Sequence, residues 1–267
     1  MSSASPLPTI VLVHGAWHTP AVYQPFISAL EAEGFVVHAP LLPSCAQSVS
    51  PSQDRPASLP EDAACVRNLI STLVNQGDRI LMILHSYGGA VGTDAVTREL
   101  TFADRQSRGL VGGVIHLTYL CAYMLQPGGS VVKTIQEGGI ENPWDVIVDL
   151  GPDGFMFPKD PIWQFYNSVE KAAAEEAASH LVRFPFVACD TDSTGDAWRY
   201  VPVTYVLTEK DRAVFKDWQV TMVGKVRAQG VDVRTVEFDS CHSPFLSRRR
   251  ELVRVVLEAA GDERNPR

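Results

Sequence analysis

Apolar residues fall in short blocks along this chain, and the blocks alternate between two periods. Thr9 to Val13 is a continuous, β-branched run that ends at His14-Gly15. A run of that length predicts a strand buried on both faces, as in a parallel sheet. Val22 to Ala32 carries apolar residues at helical spacing and stops at Gly34, so it predicts a helix; Phe35 to His38 predicts a second short strand. Ala39 to Pro60 is rich in Pro and Ser and predicts loop. Ser58-Leu-Pro-Glu61 has the form of a capping box. Beyond it Cys65, Val66, Leu69, Ile70, Leu73 and Val74 make one apolar helical face that ends before Gly77.

The alternation continues. Arg79 to Leu84 predicts a buried strand, Tyr87 to Leu100 a helix opened by Gly88-Gly89, and Val111 to Leu120 another strand. Strands that alternate with helices predict the α/β class, with a mostly parallel sheet covered by helices on both faces. From about Tyr123 to Tyr200 the rhythm breaks. Trp144, Phe155, Phe157, Trp163, Phe165 and Tyr166 are scattered among Gly and Pro, and an Ala/Glu-rich helical stretch runs from about Pro161 to Leu181. With no clear strand pattern there, residues 123–200 read as an inserted, mainly helical lid. The core is then 1–122 plus 201–267, one domain overall. The sheet resumes at Val201 to Leu207. A helix follows over Val214 to Gln229, with Gly230 as its stop, then a strand over Val231 to Phe238 and a closing helix from Pro244 to Ala260.

Composition narrows the function. The 267 residues are 45% hydrophobic and 20% charged, ordinary values for a chain able to bury a large core. The net charge is −8, and the triplet Arg248-Arg249-Arg250 shares its helix with Glu251 and Glu258. That reads as a solvated face, so neither nucleic acid nor an anionic membrane is an expected partner. The five cysteines, Cys45, Cys65, Cys121, Cys189 and Cys241, are odd in number and widely spaced. They suggest neither a zinc site nor a disulfide framework, and point to a reducing compartment. His14 and His18 are four apart, but Gly15 and Pro20 argue against one helix carrying both, so no metal is expected. Met1 to Pro8 has no basic segment, and Ile10 to Val13 is too short for a signal core or a membrane span. The expectation is a soluble, cytoplasmic protein acting on a small molecule, with a homodimer left open.

Four features carry chemistry, each placed after a predicted strand. In Leu84-His-Ser-Tyr-Gly-Gly89, Ser86 falls between a strand and a helix, where a tight turn would lift a nucleophilic hydroxyl above the sheet. Residues two positions either side of such a serine are usually small; Gly88 fits and Leu84 does not. The bland alternative is an N-cap serine. In His14-Gly-Ala-Trp17, the Ala16 N–H could join the Tyr87 N–H as an oxyanion hole, with Gly15 allowing close approach. The alternative is a plain glycine turn. His242, in Ser240-Cys-His-Ser-Pro244, stands where a general base belongs. Asp211, in Thr208-Glu-Lys-Asp211, stands where a carboxylate would orient it, with Glu209 as the alternate. The order Ser, Asp, His is the required one. Trp17, Trp163, Phe165 and Tyr166 are candidate pocket residues.

On these residues the chain resembles the α/β-hydrolase superfamily, in particular its small methylesterase and hydroxynitrile-lyase-like branch and related fungal and actinobacterial hydrolases. The resemblance runs from Val11 to about Leu257. It is densest at Leu12-Val-His-Gly-Ala-Trp17, His85-Ser-Tyr-Gly-Gly89, Trp198-Arg-Tyr-Val-Pro202 through Asp211, and His242-Ser-Pro-Phe-Leu246, and the piece Phe165-Tyr-Asn167 is similar as well. It implies a carboxylic-ester hydrolase without a cofactor. Hydroxynitrile lyases of this branch carry Thr after the first-strand histidine and Lys after the last histidine. Gly15 and Ser243 stand there, which argues against cyanohydrin cleavage. The expected reaction is cleavage of a small, fairly apolar ester, lactone or thioester through an acyl-enzyme on Ser86. A lyase, cyclase or chain-releasing enzyme of secondary metabolism is the alternative, and a ligand receptor a further one.

Overall fold

A computed structural model of the chain describes residues 7–49, 55–139 and 147–261. Trp144 lies outside them. The strands are β1 (Thr9–Val13), β2 (Val37–His38), β3 (Arg79–His85), β4 (Gly113–Leu120), β5 (Val148–Leu150), β6 (Phe155–Pro158), β7 (Phe184–Pro185), β8 (Val203–Thr208) and β9 (Val233–Phe238). Six of them form one sheet in the order β2-β1-β3-β4-β8-β9, and every neighbouring pair is parallel. Ile80 through Leu84 are fully buried. That explains why β3 shows no polar alternation: both of its faces are covered.

The strand order positions the site. The chain leaves β1 for β2 on one side, then crosses back to β3 on the other. Such a reversal opens a crevice beyond the C-terminal ends of the two central strands. His14 to Trp17 leave β1 there, and Ser86 leaves β3 there.

Local signals set several element ends. The helices before β4 are α1 (Gln24–Ala32), α2 (Pro43–Val49), α3 (Leu59–Gln76), α4 (Gly88–Ala95) and a short one over Phe102–Ser107. The capping box at Ser58 and Glu61 is present, and Gly77 closes α3 with φ 98°, a conformation open to glycine. Other ends differ from expectation. The predicted loop over 39–60 contains α2, anchored by Leu42 and Cys45, both fully buried. The helix predicted to reach Leu100 stops at Ala95 for a tertiary reason. The Asp94 carboxylate accepts Ser193 Oγ at 2.5 Å and the Gly195 N–H at 2.9 Å from the far end of the chain's irregular segment. The closing helix breaks at Arg248, giving Pro244–Ser247 and Arg249–Gly261.

The segment between β4 and β8 is more mixed than expected. It holds helices over Val131–Glu137, Pro161–Phe165, Lys171–Ser179 and Phe186–Asp190, but β5, β6 and β7 also form a small antiparallel sheet. These strands are two to four residues long, too short to show a period. The Arg248 guanidinium pairs with Asp239 and Glu251 on an exposed face. All five cysteines are free. Among the described residues, no helix is long and apolar enough to cross a membrane.

Leu84, the unusual residue before the serine turn, has a partner. A Cβ on Gly92 of α4 would lie 2.2 Å from Leu84 Cδ2 and 3.1 Å from its Cγ. The leucine fills the volume that the glycine vacates, so bulk is exchanged between β3 and α4. Gly92→Ala is expected to destabilise the fold by about 1–3 kcal/mol through overpacking. Adding Leu84→Ala should recover part of that loss, a coupling of about 1 kcal/mol or more in a denaturant double-mutant cycle. Strict additivity would refute the exchange.

Candidate active site

Ser86 follows β3 with φ 54°. That region is sterically costly for a side-chain-bearing residue, so something must hold it. Backbone hydrogen bonds do so. The Ser86 N–H donates to Leu120 O at 3.2 Å, and Ser86 O accepts the N–H of Gly89 at 2.9 Å and of Tyr123 at 3.0 Å. The turn is packed as tightly as it is bonded. A Cβ on Gly88 would lie 2.4 Å from Val13 O, and one on Gly89 2.7 Å from Tyr123 O. Gly15 brings the loop after β1 equally close: its Cβ would stand 2.9 Å from Ser86 Cβ. The non-glycine residues with positive φ among those described are Trp17, Ser86 and Cys121. They follow β1, β3 and β4, so backbone strain gathers at the crevice.

His242 and Asp211 meet beside this turn. His242 Nδ1 lies 2.8 Å from Asp211 Oδ2, with both side chains buried. The carboxylate is fixed from every side. Oδ1 accepts the N–H groups of Ala213 and Val214, each at 2.8 Å, which makes the loop after β8 a tight cap. Oδ2 also accepts Thr208 Oγ1 at 2.9 Å and Gln219 Nε2 at 3.3 Å. Thr208 and Gln219 have no signal in the sequence, because the contact spans a loop and a helix turn. Glu209 turns outward to Lys216, and that pairing holds its carboxyl below the usual range. Among the described residues no hydrogen bond joins Ser86 Oγ to His242.

Ala16 and Tyr87 are both buried, and among the described residues neither N–H has a hydrogen-bond acceptor. Of the expected pocket residues, three converge. The Phe165 ring lies tilted at 5.7 Å from the His242 ring and edge-on at 5.3 Å from that of His18. Trp17 lies 5.8 Å from Phe165 and donates its indole N–H to Met156 O. The Tyr166 hydroxyl sits 3.0 Å from His18 Nε2. Trp163 does not join them. The residue is 47% exposed, and its ring lies under the Arg212 guanidinium at 4.8 Å. The short helix Pro161–Phe165 presents Phe165 inward, and Trp163, two residues earlier, faces outward.

His14 and His18 are buried, and burial lowers their pKa values to about 4 and about 3. His14 bonds Gly15 O and the Leu42 N–H, and His18 bonds Ala16 O as well as Tyr166. They brace the loop after β1. His85, Cys121 and His242 bring nitrogen and sulfur atoms within 4.8 Å of one another. His85 Nε2 and Cys121 Sγ are both committed to the His242 carbonyl, at 2.9 and 3.3 Å, so a metal there would have to displace existing bonds.

The chain is similar to known proteins. The profile described as the alpha/beta hydrolase family matches residues 10–255. The chain belongs to the alpha/beta hydrolase family. As a member it is an enzyme of the alpha/beta hydrolase type. It is 29% identical to alpha/beta hydrolase nvfD of Aspergillus novofumigatus, over 96% of this chain and 97% of that protein. Its fold is similar to a variant of the pyrethroid hydrolase PytH, with TM-score 0.75, 18% identity, and coverage of 96% and 98%. It is likewise similar to the methylesterase MES16 from Arabidopsis, with TM-score 0.70, 22% identity, and coverage of 96% and 99%.

One feature of this alpha/beta hydrolase lies behind Tyr87. The Tyr87 hydroxyl donates to Asp62 Oδ2 at 2.9 Å, and the Ser44 N–H donates to Oδ1 at 2.9 Å. Burial raises the Asp62 carboxyl from 3.8 to about 6 despite those bonds. The folded state therefore holds this proton more tightly than the unfolded one. The associated stability is complete below about pH 4 and is lost as pH rises through about 6. Chemical denaturation of wild type and Asp62→Asn across that range is the check. The wild-type stability relative to the variant is expected to fall as pH rises, and a flat difference would show that Asp62 titrates normally.

Proposed function

We propose that this alpha/beta hydrolase is a serine hydrolase that cleaves a small, fairly apolar carboxylic ester, lactone or thioester. The observation that carries the reading is the buried His242–Asp211 pair at 2.8 Å beside a serine held at positive φ. With Nδ1 facing the carboxylate, the imidazole proton belongs on Nδ1, which leaves the Nε2 lone pair as the base.

The steps follow from that proton. His242 Nε2 takes the hydroxyl proton as Ser86 Oγ attacks the carbonyl carbon. The developing oxyanion is received by the N–H groups of Ala16 and Tyr87. Collapse transfers the His242 proton to the leaving alkoxide or thiolate and leaves an acyl group on Ser86. Water then gives a proton to His242, attacks the acyl carbon, and releases the acid as the proton returns to Ser86. Asp211 stabilises the imidazolium in both halves. The aromatic surroundings, Trp17 and Phe165, favour an apolar acyl or alcohol group. The similarity to proteins described as a pyrethroid hydrolase and a methylesterase agrees with ester chemistry. The segment over residues 123–200 acts as the lid. It is tied to the loop after β1 by the Val182 N–H to Trp17 O bond of 2.8 Å, and to the loop of Asp211 by Asn167 Nδ2 to Lys210 O at 3.0 Å.

Turnover of short p-nitrophenyl esters is expected, with covalent labelling of Ser86 by a fluorophosphonate. Ser86→Ala should lose both, with kcat/KM down by roughly 1,000-fold or more. Retained turnover in Ser86→Ala would discard the acyl-enzyme and favour a lyase or cyclase on the same fold.

A further inference from the structure

Two loops must keep a fixed spacing for this chemistry: the one after β1, which carries Ala16, and the one after β9, which carries His242. One chain of hydrogen bonds joins them through the interior. The Gly15 N–H donates to Tyr23 Oη at 3.0 Å. Tyr23 Oη lies 2.6 Å from His85 Nδ1. His85 Nε2 lies 2.9 Å from the main-chain carbonyl oxygen of His242.

Counting hydrogens fixes the direction of every bond. A carbonyl oxygen can only accept, so His85 Nε2 carries a hydrogen. A neutral imidazole has one such hydrogen, so Nδ1 is bare and accepts the Tyr23 hydroxyl hydrogen. The Tyr23 oxygen is then free to accept from Gly15, which can only donate. Burial supports this pattern by holding His85 well below the usual imidazole range and pushing the Tyr23 hydroxyl well up. Cys121 Sγ donates to the same His242 carbonyl at 3.3 Å, so two donors hold that oxygen.

We propose that Tyr23 and His85 are positioning residues: Tyr23 ties His85 to the Gly15 loop, and His85 holds the His242 main chain in register with Ser86 and the Ala16 loop. The kinetic part of this inference rests on the serine-hydrolase reading. The placement of protons does not.

Tyr23→Phe removes the hydroxyl but keeps the ring, whose centroid lies 4.4 Å from that of Phe245, so the variant is expected to fold. Its kcat on p-nitrophenyl butyrate should fall about 10- to 100-fold through lost alignment, with KM changed less than about two-fold. His85→Gln, whose amide can still donate to the His242 carbonyl, should keep more activity than His85→Phe, which cannot. Imidazole nitrogen NMR should read the Nε2–H tautomer of His85 in the wild type and in Tyr23→Phe, with the Nδ1 resonance shifted in the variant by loss of its hydrogen-bond donor. A wild-type Nδ1–H tautomer overturns the inference, and so does a Tyr23→Phe enzyme with wild-type kcat. Full turnover by Ser86→Ala would instead remove the hydrolase reading, and the NMR measurement would still decide the proton chain.

Discussion

The constraint on which this molecule turns is the backbone conformation of Ser86. A φ of 54° is unfavourable for serine by an amount on the order of 1–3 kcal/mol. It persists because the ends of three strands converge on it. The carbonyl of Leu120 holds its N–H, and its own carbonyl accepts from Gly89 and Tyr123. The sheet order produces this convergence, since β3 lies between β1 and β4. If β4 shifted relative to β3, the bonds from Leu120 and Tyr123 would break together, and the turn would relax to an ordinary helix start. Fold and site are therefore one structure: the parallel sheet supplies the rigidity that stores the strain.

Much of this was legible in the sequence, and the reasons differ by feature. β1 matched its predicted bounds, and β3 ran one residue past them, because a strand buried on both faces must be continuously apolar. That Ser86, Asp211 and His242 would lie on one side of the sheet was legible because each follows a strand and the strands run parallel. Asp211 was chosen from sequence with Glu209 kept as the alternate, since both lie in the same loop. The choice depends on which carboxylate points inward, and that is settled by the Ala213 and Val214 N–H groups closing around Asp211. The small sheet β5-β6-β7 was invisible because strands of two to four residues carry no period. The end of α4 was invisible because it is set by residues about a hundred positions away.

Leu84 shows how a departure from pattern can be local in sequence and harmless in space. A small residue is customary there because strand and helix crowd one another at the turn. Here the helix gives up the volume instead, at Gly92. The sum of the two side chains is what the packing constrains, and no single position reveals it. Gly88 and Gly89 are different, since their would-be Cβ atoms meet backbone oxygens that cannot move aside.

The crevice also concentrates imidazoles, and their states bear on the proton chemistry. His14, His18 and His85 each have both ring nitrogens within hydrogen-bonding distance of a partner. Burial keeps all three pKa values well below neutrality. Under the proposed mechanism, a proton leaving Ser86 would therefore meet four imidazoles of which three are occupied and neutral. Among the described residues, His242 Nε2 has no hydrogen-bond partner. Were His18 or His85 charged, the imidazolium forming on His242 would face a like charge within a ring or two, a repulsion strengthened by the dry surroundings. Holding the neighbours neutral removes that penalty, and the Asp211 carboxylate on the far side of the ring is left to act alone on the developing charge. Buried histidines that look superfluous to the reaction thus do two things. Their hydrogen bonds brace the strained loops, and under the proposed mechanism their neutrality clears the field in which a single imidazole would take up a proton and give it back.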